Sequence, residues 1–438
     1  MNKAEILAAG RCSPADETSC WPGLLLKDRS QTRFKFMRLI KALLLIICPL
    51  IAAALLPAPA SAVDISTHSF AGCGFPDTGQ TLCYSTTPAS LTIPVAVPCP
   101  VYPDFLAGQD GYYSMSPSSP SFTLYTGLVT VDNRTGLMWE STGSYNGALT
   151  TWANALAVCE ASTFAGYSDW RLPNVRELMS IADYDKLSPS IQAAFFPNTI
   201  TSAAYWTSTT HVSASANAFD VEFAHGAVDY DSKSTYSGAV RCVRGGPSSS
   251  TAPAGAVSAH AFNSGMNCNG VWELPDSSTG TISYGAGDDT AYQPAASSPT
   301  YTVSNPVNSS SVTVDNVTGL MWVTNPATDA GFNNPGRSTW AVALSSCEAL
   351  DYANYTDWRL PNVRELQSIV DYGMKTVLIN STAFPDTQKD YYWASTTYIG
   401  TPTNQAWTVR FDTGGVSYSY KTEANSHYVR CVRGGRRY

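Results

Sequence analysis

The chain is short of charge: only 14% of its 438 residues are Asp, Glu, Lys or Arg. It is also short of histidine, with five in all, and of long apolar runs, with one near the N-terminus. Each shortage excludes something. His68, His211, His225, His260 and His427 do not recur at matching places in the internal repeats described below, and no Ser/His/Asp or Cys/His arrangement recurs either. A hydrolytic or acid–base enzyme is therefore not expected. No cysteine pair after residue 62 has Cys-x-x-Cys spacing, which argues against zinc and dithiol chemistry. Beyond residue 62 the chain has 18 basic and 30 acidic residues, a net charge of −12. Such a chain repels phosphate backbones, so nucleic acid is not expected as a partner.

What is present begins with an export signal. From Met37 the chain reads MRLIKALLLIICPLIAAALLPAPASA: a basic start, an apolar run from Ala42 to Leu56, and a small-residue end at Ala60-Ser61-Ala62. This predicts a secretory signal peptide cleaved after Ala62, with Met37 as the true start and residues 1–36 as an upstream extension. The apolar run is short for a spanning helix, so no stable membrane span is expected after cleavage. The destination is periplasmic, cell-surface or secreted.

Self-similarity decides the organisation. VDNRTGLMW at Val131–Trp139 returns as VDNVTGLMW at Val314–Trp322, and DWRLPNVREL stands at both Asp169–Leu178 and Asp357–Leu366. Tyr205-Trp206 with Ser208-Thr209-Thr210 returns as Tyr392-Trp393 with Ser395-Thr396-Thr397, and VRCVRGG closes both copies. The Ser/Pro/Gly stretch Pro247–Gly255 has linker composition. The expected division is 1–62 leader, 63–247 first repeat with core 128–246, and 248–438 second repeat with core 311–435.

Within a copy, Asn133-x-Thr135-Gly136 is turn chemistry between Leu128–Asp132 and Leu137–Trp139, a hairpin. Thr151 opens a helix with Trp152, Leu156 and Cys159 on one face. A second helix follows with Pro173 in its first turn and Val175, Leu178 and Ile181 facing one way. Strand patterns then cover Tyr205–Thr210, Ala218–Phe223, Ala227–Tyr230 and a closing Gly238–Arg244. This order predicts an α+β domain with two helices packed on an antiparallel sheet, present twice. Eight cysteines follow the signal, an even number that reads as disulfides in an exported chain. The first-helix and last-strand cysteines of each copy predict Cys159–Cys242 and Cys347–Cys431, each closing a loop worth about 4–5 kcal/mol by chain entropy. Cys83–Cys99 is the expected local bridge, which leaves Cys73 and Cys268.

Taken together, TGLMW, WANAL-x-x-CE, YSDWRLPNVREL, YWTST and VRCVRGG resemble a bacterial domain family of largely unknown function. Its named member is the C-terminal domain of Legionella collagen-like protein adhesins. The resemblance implies a fold similar to C-type lectin-like domains and to the formylglycine-generating enzyme. It agrees with the helix-to-strand disulfide, and implies surface adhesion with glycan or glycosaminoglycan binding. The chain departs from the named member in having no collagen-like stalk, and its acidity disfavours a polyanion. The reactive cysteine pair of formylglycine-generating enzymes has no counterpart.

Both copies keep Arg171, Arg176 and Glu177 (Arg359, Arg364 and Glu365), which suits residues that pin a helix to its sheet better than residues that select a ligand. Leu172-Pro173-Asn174 resembles part of a lectin calcium site, but Asp229 and Asp231 have no acidic match in the second copy; no metal or cofactor is expected. Trp139, Trp152, Trp170 and Trp206 fit core positions. Ligand contacts are expected instead from aromatics read as lying in divergent loops: Tyr145, Tyr230 and Tyr236 in the first copy, and Phe332, Tyr398, Trp407, Tyr418 and Tyr420 in the second. The expected function is non-catalytic recognition of a glycan or cell-surface partner; the alternative is a structural or assembly role in the bacterial envelope, binding other proteins.

Overall fold

The first repeated motif folds as a hairpin around one aspartate. Asp132 accepts from the Arg134 amide at 2.8 Å and the Thr135 hydroxyl at 2.7 Å, and Gly136 takes φ 73°. That left-handed geometry suits glycine and turns strand Val129–Asp132 into strand Met138–Glu140. Asp315 and Gly319 repeat the device before strand Leu320–Val323. A computed structural model describes residues 78–84, 97–98, 108–113, 120–143, 148–245, 287–289, 299–307, 310–326, 337–401, 404–422 and 427–434. The signal segment, Cys73, Cys99, Cys268 and the repeat boundary lie outside them.

The helices form where expected, with two refinements. Helix Trp152–Glu160 buries Trp152, Ala155, Leu156 and Cys159, and Trp340–Glu348 buries the matching four. Thr151 occupies the N-cap position without a side-chain cap bond. The second helix is Val175–Ser180, capped by Asn174, so Pro173 precedes the cap instead of sitting in the first turn. Asn174 and Glu177 form a capping box, which satisfies amides that the helix start would orphan. Arg171 clamps Glu177 with two bonds at 2.6 and 2.5 Å, and Arg359 clamps Glu365 likewise. The DWRLPNVREL motif is thus a self-bracing helix start.

VRCVRGG is the other half of the brace. Arg241 donates to the carbonyls of Glu140 and Ser141 at 2.7 and 2.6 Å, closing the end of the hairpin. Arg244 holds Asp169 through two bonds at 2.6 and 2.9 Å and stacks 3.7 Å from the Tyr167 ring centre. Arg430 and Arg433 do the same in the second copy. Between these arginines sits the bridged cysteine: Cys159–Cys242 and Cys347–Cys431 are both formed. Cys83 is also bridged, and strand pairing sets it opposite Val97.

The sheet arrangement differs from the expectation in one respect. The closing strand, Val243–Arg244, does not join the strands just before it; it pairs with Met138–Glu140 in a four-stranded sheet with Phe122–Tyr125 and Val129–Asp132. The second copy builds the same sheet from Tyr301–Val307, Ser310–Asp315, Leu320–Val323 and Val432–Gly434. Apart from the two-stranded pair Leu82–Cys83 and Val97–Pro98, the remaining described strands of both copies form one eight-stranded sheet. Its seam is the antiparallel pairing of Ala227–Ser232 with Val416–Tyr420 through Val228 and Val416, which are equivalent positions in the two repeats.

Equivalent residues therefore meet across the seam in reciprocal pairs. The Arg176 guanidinium donates to the Val370 carbonyl, and Arg364 donates to Ala182. Tyr184 meets Trp407 edge-on at 5.0 Å, while its counterpart Tyr372 meets Phe219 at 4.8 Å. Each copy keeps a private core around its disulfide and Trp152 or Trp340. A third core, containing Val175, Leu178 and Phe219 with Val363, Leu366 and Trp407, belongs to both. The tandem α+β repeats fold as a pseudo-twofold body, and Arg176 and Arg364 are seam residues as well as helix residues.

This geometry makes the repeats cooperative. Arg176→Ala or Arg364→Ala leaves a buried carbonyl of the opposite copy without its donor, at a cost on the order of 3 kcal/mol. Calorimetry is expected to show one unfolding transition in the parent protein, moved as a whole to lower temperature by either substitution. Two transitions, only one of which moves, would contradict the shared core.

Candidate binding surface

Two of the aromatics expected in divergent loops, Tyr145 and Phe332, lie outside the described residues. Five others stand on strands. Tyr398, Trp407 and Tyr418 form a cluster: Tyr398 stacks on Tyr418 at 3.8 Å, and Trp407 meets Tyr418 at 5.5 Å. The first copy has the same cluster at equivalent positions in His211, Phe219 and Tyr230, with His211–Tyr230 at 4.4 Å. These side chains are a duplicated feature of the seam. Trp407 is 1% exposed and Tyr398 6%, so neither offers a ring face to a ligand. Tyr418 and Tyr230 are half-buried at its margin. Tyr236, off the strands, accepts from the Ala204 amide at 2.9 Å and packs edge-on to Trp206, which makes it a brace. Tyr420 remains open, 48% exposed.

The divergence between copies is concentrated elsewhere, at the far end of the eight-stranded sheet. There strands Arg337–Ser338, His427–Tyr428 and Tyr391–Tyr398 lie side by side. The Arg337 guanidinium sits 4.7 Å from the Tyr428 ring centre and is paired with Asp390. Arg410 sits 4.7 Å from the Tyr391 ring centre and is held by Asp412, with Nε to Oδ1 at 2.8 Å. Tyr428 in turn stacks on Tyr392 at 5.3 Å. At the matching positions the first copy has Leu149, Ala239, Ala203, Ala204, Glu222 and Ala224. The two arginine side chains are 36% and 35% exposed. The result is a half-exposed patch of two tyrosine rings, each covered by a guanidinium whose charge is cancelled by an aspartate.

Sequence reasoning overlooked this patch because it searched for aromatics in loops. A residue-by-residue subtraction of one copy from the other would have found it. The same reasoning overlooked a lysine that both copies keep, half-buried as Lys233 and buried as Lys421. Lys233 donates to Thr210 at 2.6 Å and lies 3.9 Å from the Trp152 ring centre; Lys421 donates to Thr397 at 3.0 Å and lies 4.0 Å from that of Trp340. Burial pushes the Lys233 amine down to about 8, opposed by nearby Asp288, and that of Lys421 down to about 7.

The first copy diverges in the opposite sense. Strand pairing places Asp220 across from Asp229, and Asp231 across from Ala218, two residues along. The second copy has Thr408, Ser417 and Ser419 there. Asp220 is 2% exposed, and its Oδ2 has no hydrogen-bond partner among the described residues. Among the described residues, no group of three or more His, Cys, Asp or Glu side chains is placed to hold a metal ion. No described helix is long and apolar enough to cross a membrane.

The family model described as the Lcl C-terminal domain matches the chain twice, over residues 128–244 and 311–433, more than half its length. No curated protein matches the chain.

Burial, reinforced by Asp231, Asp229 and Glu222, pushes the Asp220 carboxyl up to about 8. A folded-state value above the ordinary one means that folding favours the protonated form. Its contribution is full below pH 4 and is lost as pH rises through about 8. Asp220→Asn is therefore expected to leave stability unchanged near pH 4 and to raise it by a few kcal/mol at pH 9, measured by urea denaturation. Equal stability of the two proteins at pH 9 would show that Asp220 ionises without penalty.

Proposed function

Because the chain belongs to the Lcl C-terminal domain family and carries the domain twice, we propose that it is an exported, non-catalytic binding protein that recognises a glycan or a cell-surface partner. The observation that carries this reading is the Arg–Tyr patch at the outer end of the second repeat's sheet. Sugar rings present apolar faces that stack on aromatics and hydroxyls that pair with guanidinium and carboxylate groups. Tyr391 and Tyr428, each with a guanidinium over its ring, supply half-exposed apolar ring edges for the first kind of contact; Arg337, Asp390, Arg410 and Asp412 supply the second. The patch has no net charge, which suits a neutral glycan better than a polyanion. Its arginines and tyrosines sit on paired strands, with Asp390 and Asp412 just beyond the strand ends, so little ordering opposes binding. Disulfides fit an oxidising, exported location.

The test is a glycan array probed with the mature protein. Binding to a set of neutral glycans is expected, weakened about tenfold or more by Tyr391→Ala or Tyr428→Ala, consistent with 1–2 kcal/mol per stacking contact. Tyr236→Ala, at a braced position, should change stability and not glycan preference. No signal on any glycan, with or without divalent ions, would sink the glycan reading and leave the protein-partner one.

A further inference from the structure

Two short segments ahead of the matched domains, residues 108–113 and 287–289, dock through an aspartate on opposite repeats. In sequence they belong to Ala107-Gly108-Gln109-Asp110-Gly111-Tyr112-Tyr113, ahead of the first matched domain, and Ala286-Gly287-Asp288-Asp289-Thr290-Ala291-Tyr292, ahead of the second. They share the pattern Ala-Gly-x-Asp-x-x-Tyr. The first reaches the second repeat: Asp110 Oδ2 accepts from the Thr396 hydroxyl at 2.7 Å and from Thr78 at 2.6 Å. The second reaches the first repeat: Asp289 Oδ2 accepts from the Thr209 hydroxyl at 2.8 Å. The arms are crossed.

Each slot reads the same two features. The receiving threonine is also an acceptor: Val363 N–H donates to Thr396 and Val175 N–H to Thr209, both at 3.0 Å. A helix-start amide thereby polarises the hydroxyl that grips the aspartate, and a charge-assisted bond results. The glycine is needed for conformation and for room. Gly108 has φ 91° and Gly287 φ 80°, and a Cβ on either would stand 2.9 Å from the side chain of Glu348 or Glu160, which are equivalent residues. Tyr113 then donates to Glu348. Beside Asp110, Gln80 accepts from the Thr397 amide at 3.0 Å and donates to the Thr397 carbonyl, and so acts as a one-residue strand partner. Asp110, Asp289, Thr396 and Thr209 are all at least 96% buried.

We propose that this slot is a peptide-recognition site for a Gly-x-Asp segment, and that its natural partner beyond this chain is the same arm of a second copy. Two slots with the same donor and the same steric filter hold two segments that share Ala-Gly-x-Asp-x-x-Tyr and differ at the positions between. A segment that crosses between repeats within one chain can also cross between chains when its own slot is vacated, which is how arm exchange builds assemblies. The site is independent of the Arg–Tyr patch.

The test uses the full mature chain and a fluorescent peptide copying residues 105–114. Asp110→Ala empties the second repeat's slot of its own carboxylate, and this variant should bind the peptide saturably, at least tenfold tighter than the parent chain does. A peptide with Asn in place of Asp, or Val in place of the glycine, should lose tenfold or more. Adding Thr396→Ala to the variant should abolish the difference between the Asp and Asn peptides. Equal binding of the Asp and Asn peptides, or equal binding by parent and variant, would overturn the proposal. Should the variant fail to fold, hydrogen exchange on the parent protein decides instead. Excess Asp peptide should speed exchange in residues 108–113 by displacing the arm, and the Asn peptide should not; no difference between them would equally overturn the proposal.

Discussion

The structure depends on one contact that a chain can make only with a copy of itself. Val228 and Val416 are the same residue in two repeats, and their strands pair antiparallel about that point. A contact of this kind is isologous, so whatever one side offers it must also accept. Arg176 and Arg364 obey that rule by each reaching into the opposite repeat, and so do the Tyr184–Trp407 and Tyr372–Phe219 pairs. The rule explains why DWRLPNVREL persists unchanged in both copies. Its first arginine and its glutamate brace the local helix, and its second arginine serves the neighbour. A substitution there is penalised in two places.

Much of the fold was legible because its determinants are local. Turn residues, helix periodicity and the spacing of Cys159 and Cys242 act within one copy and announce themselves within it. The closing strand was misplaced because Gly238–Arg244 carries a strand pattern but no mark of its partner, and the hairpin it joins lies about a hundred residues earlier. The seam was invisible for a related reason. Its contacts link residues nearly two hundred positions apart, and a tyrosine buried against another repeat has the same sequence signature as one stacked on a sugar. Tyr398, Trp407 and Tyr418 were read as loop residues for that reason. The alternation Val416-Ser417-Tyr418-Ser419-Tyr420 is a strand pattern, and giving period-two order more weight than divergence would have placed them on the sheet.

Duplication left the two copies free to differ within the seam, where Phe219 faces Tyr372 and Trp407 faces Tyr184, as well as away from it. Two of the differences are patches of opposite character. Asp220, Asp229 and Asp231 gather in the first repeat; Arg337, Arg410, Tyr391 and Tyr428 gather in the second, with Arg410 standing where the first copy has Glu222. The aspartates that accompany the arginines matter to the chemistry. An unpaired guanidinium on a surface recruits any anion, whereas one already held by a carboxylate keeps a fixed plane.

A symmetric body with unlike patches has a consequence for the proposed recognition. The seam and the crossed arms set both patches on one continuous sheet, the acidic one on the strands beside the seam and the Arg–Tyr one toward the second repeat's edge. Loops tethered to separate domains would each have to be ordered by the ligand; side chains on paired strands at the end of a shared sheet are ordered by folding. The buried Arg–Glu braces, the disulfides and the shared core are thus spent on rigidity in the regions that do not diverge. On the proposed function, specificity then resides in a handful of side chains that stand where the first copy has alanine, leucine and glutamate, on a surface already held in place.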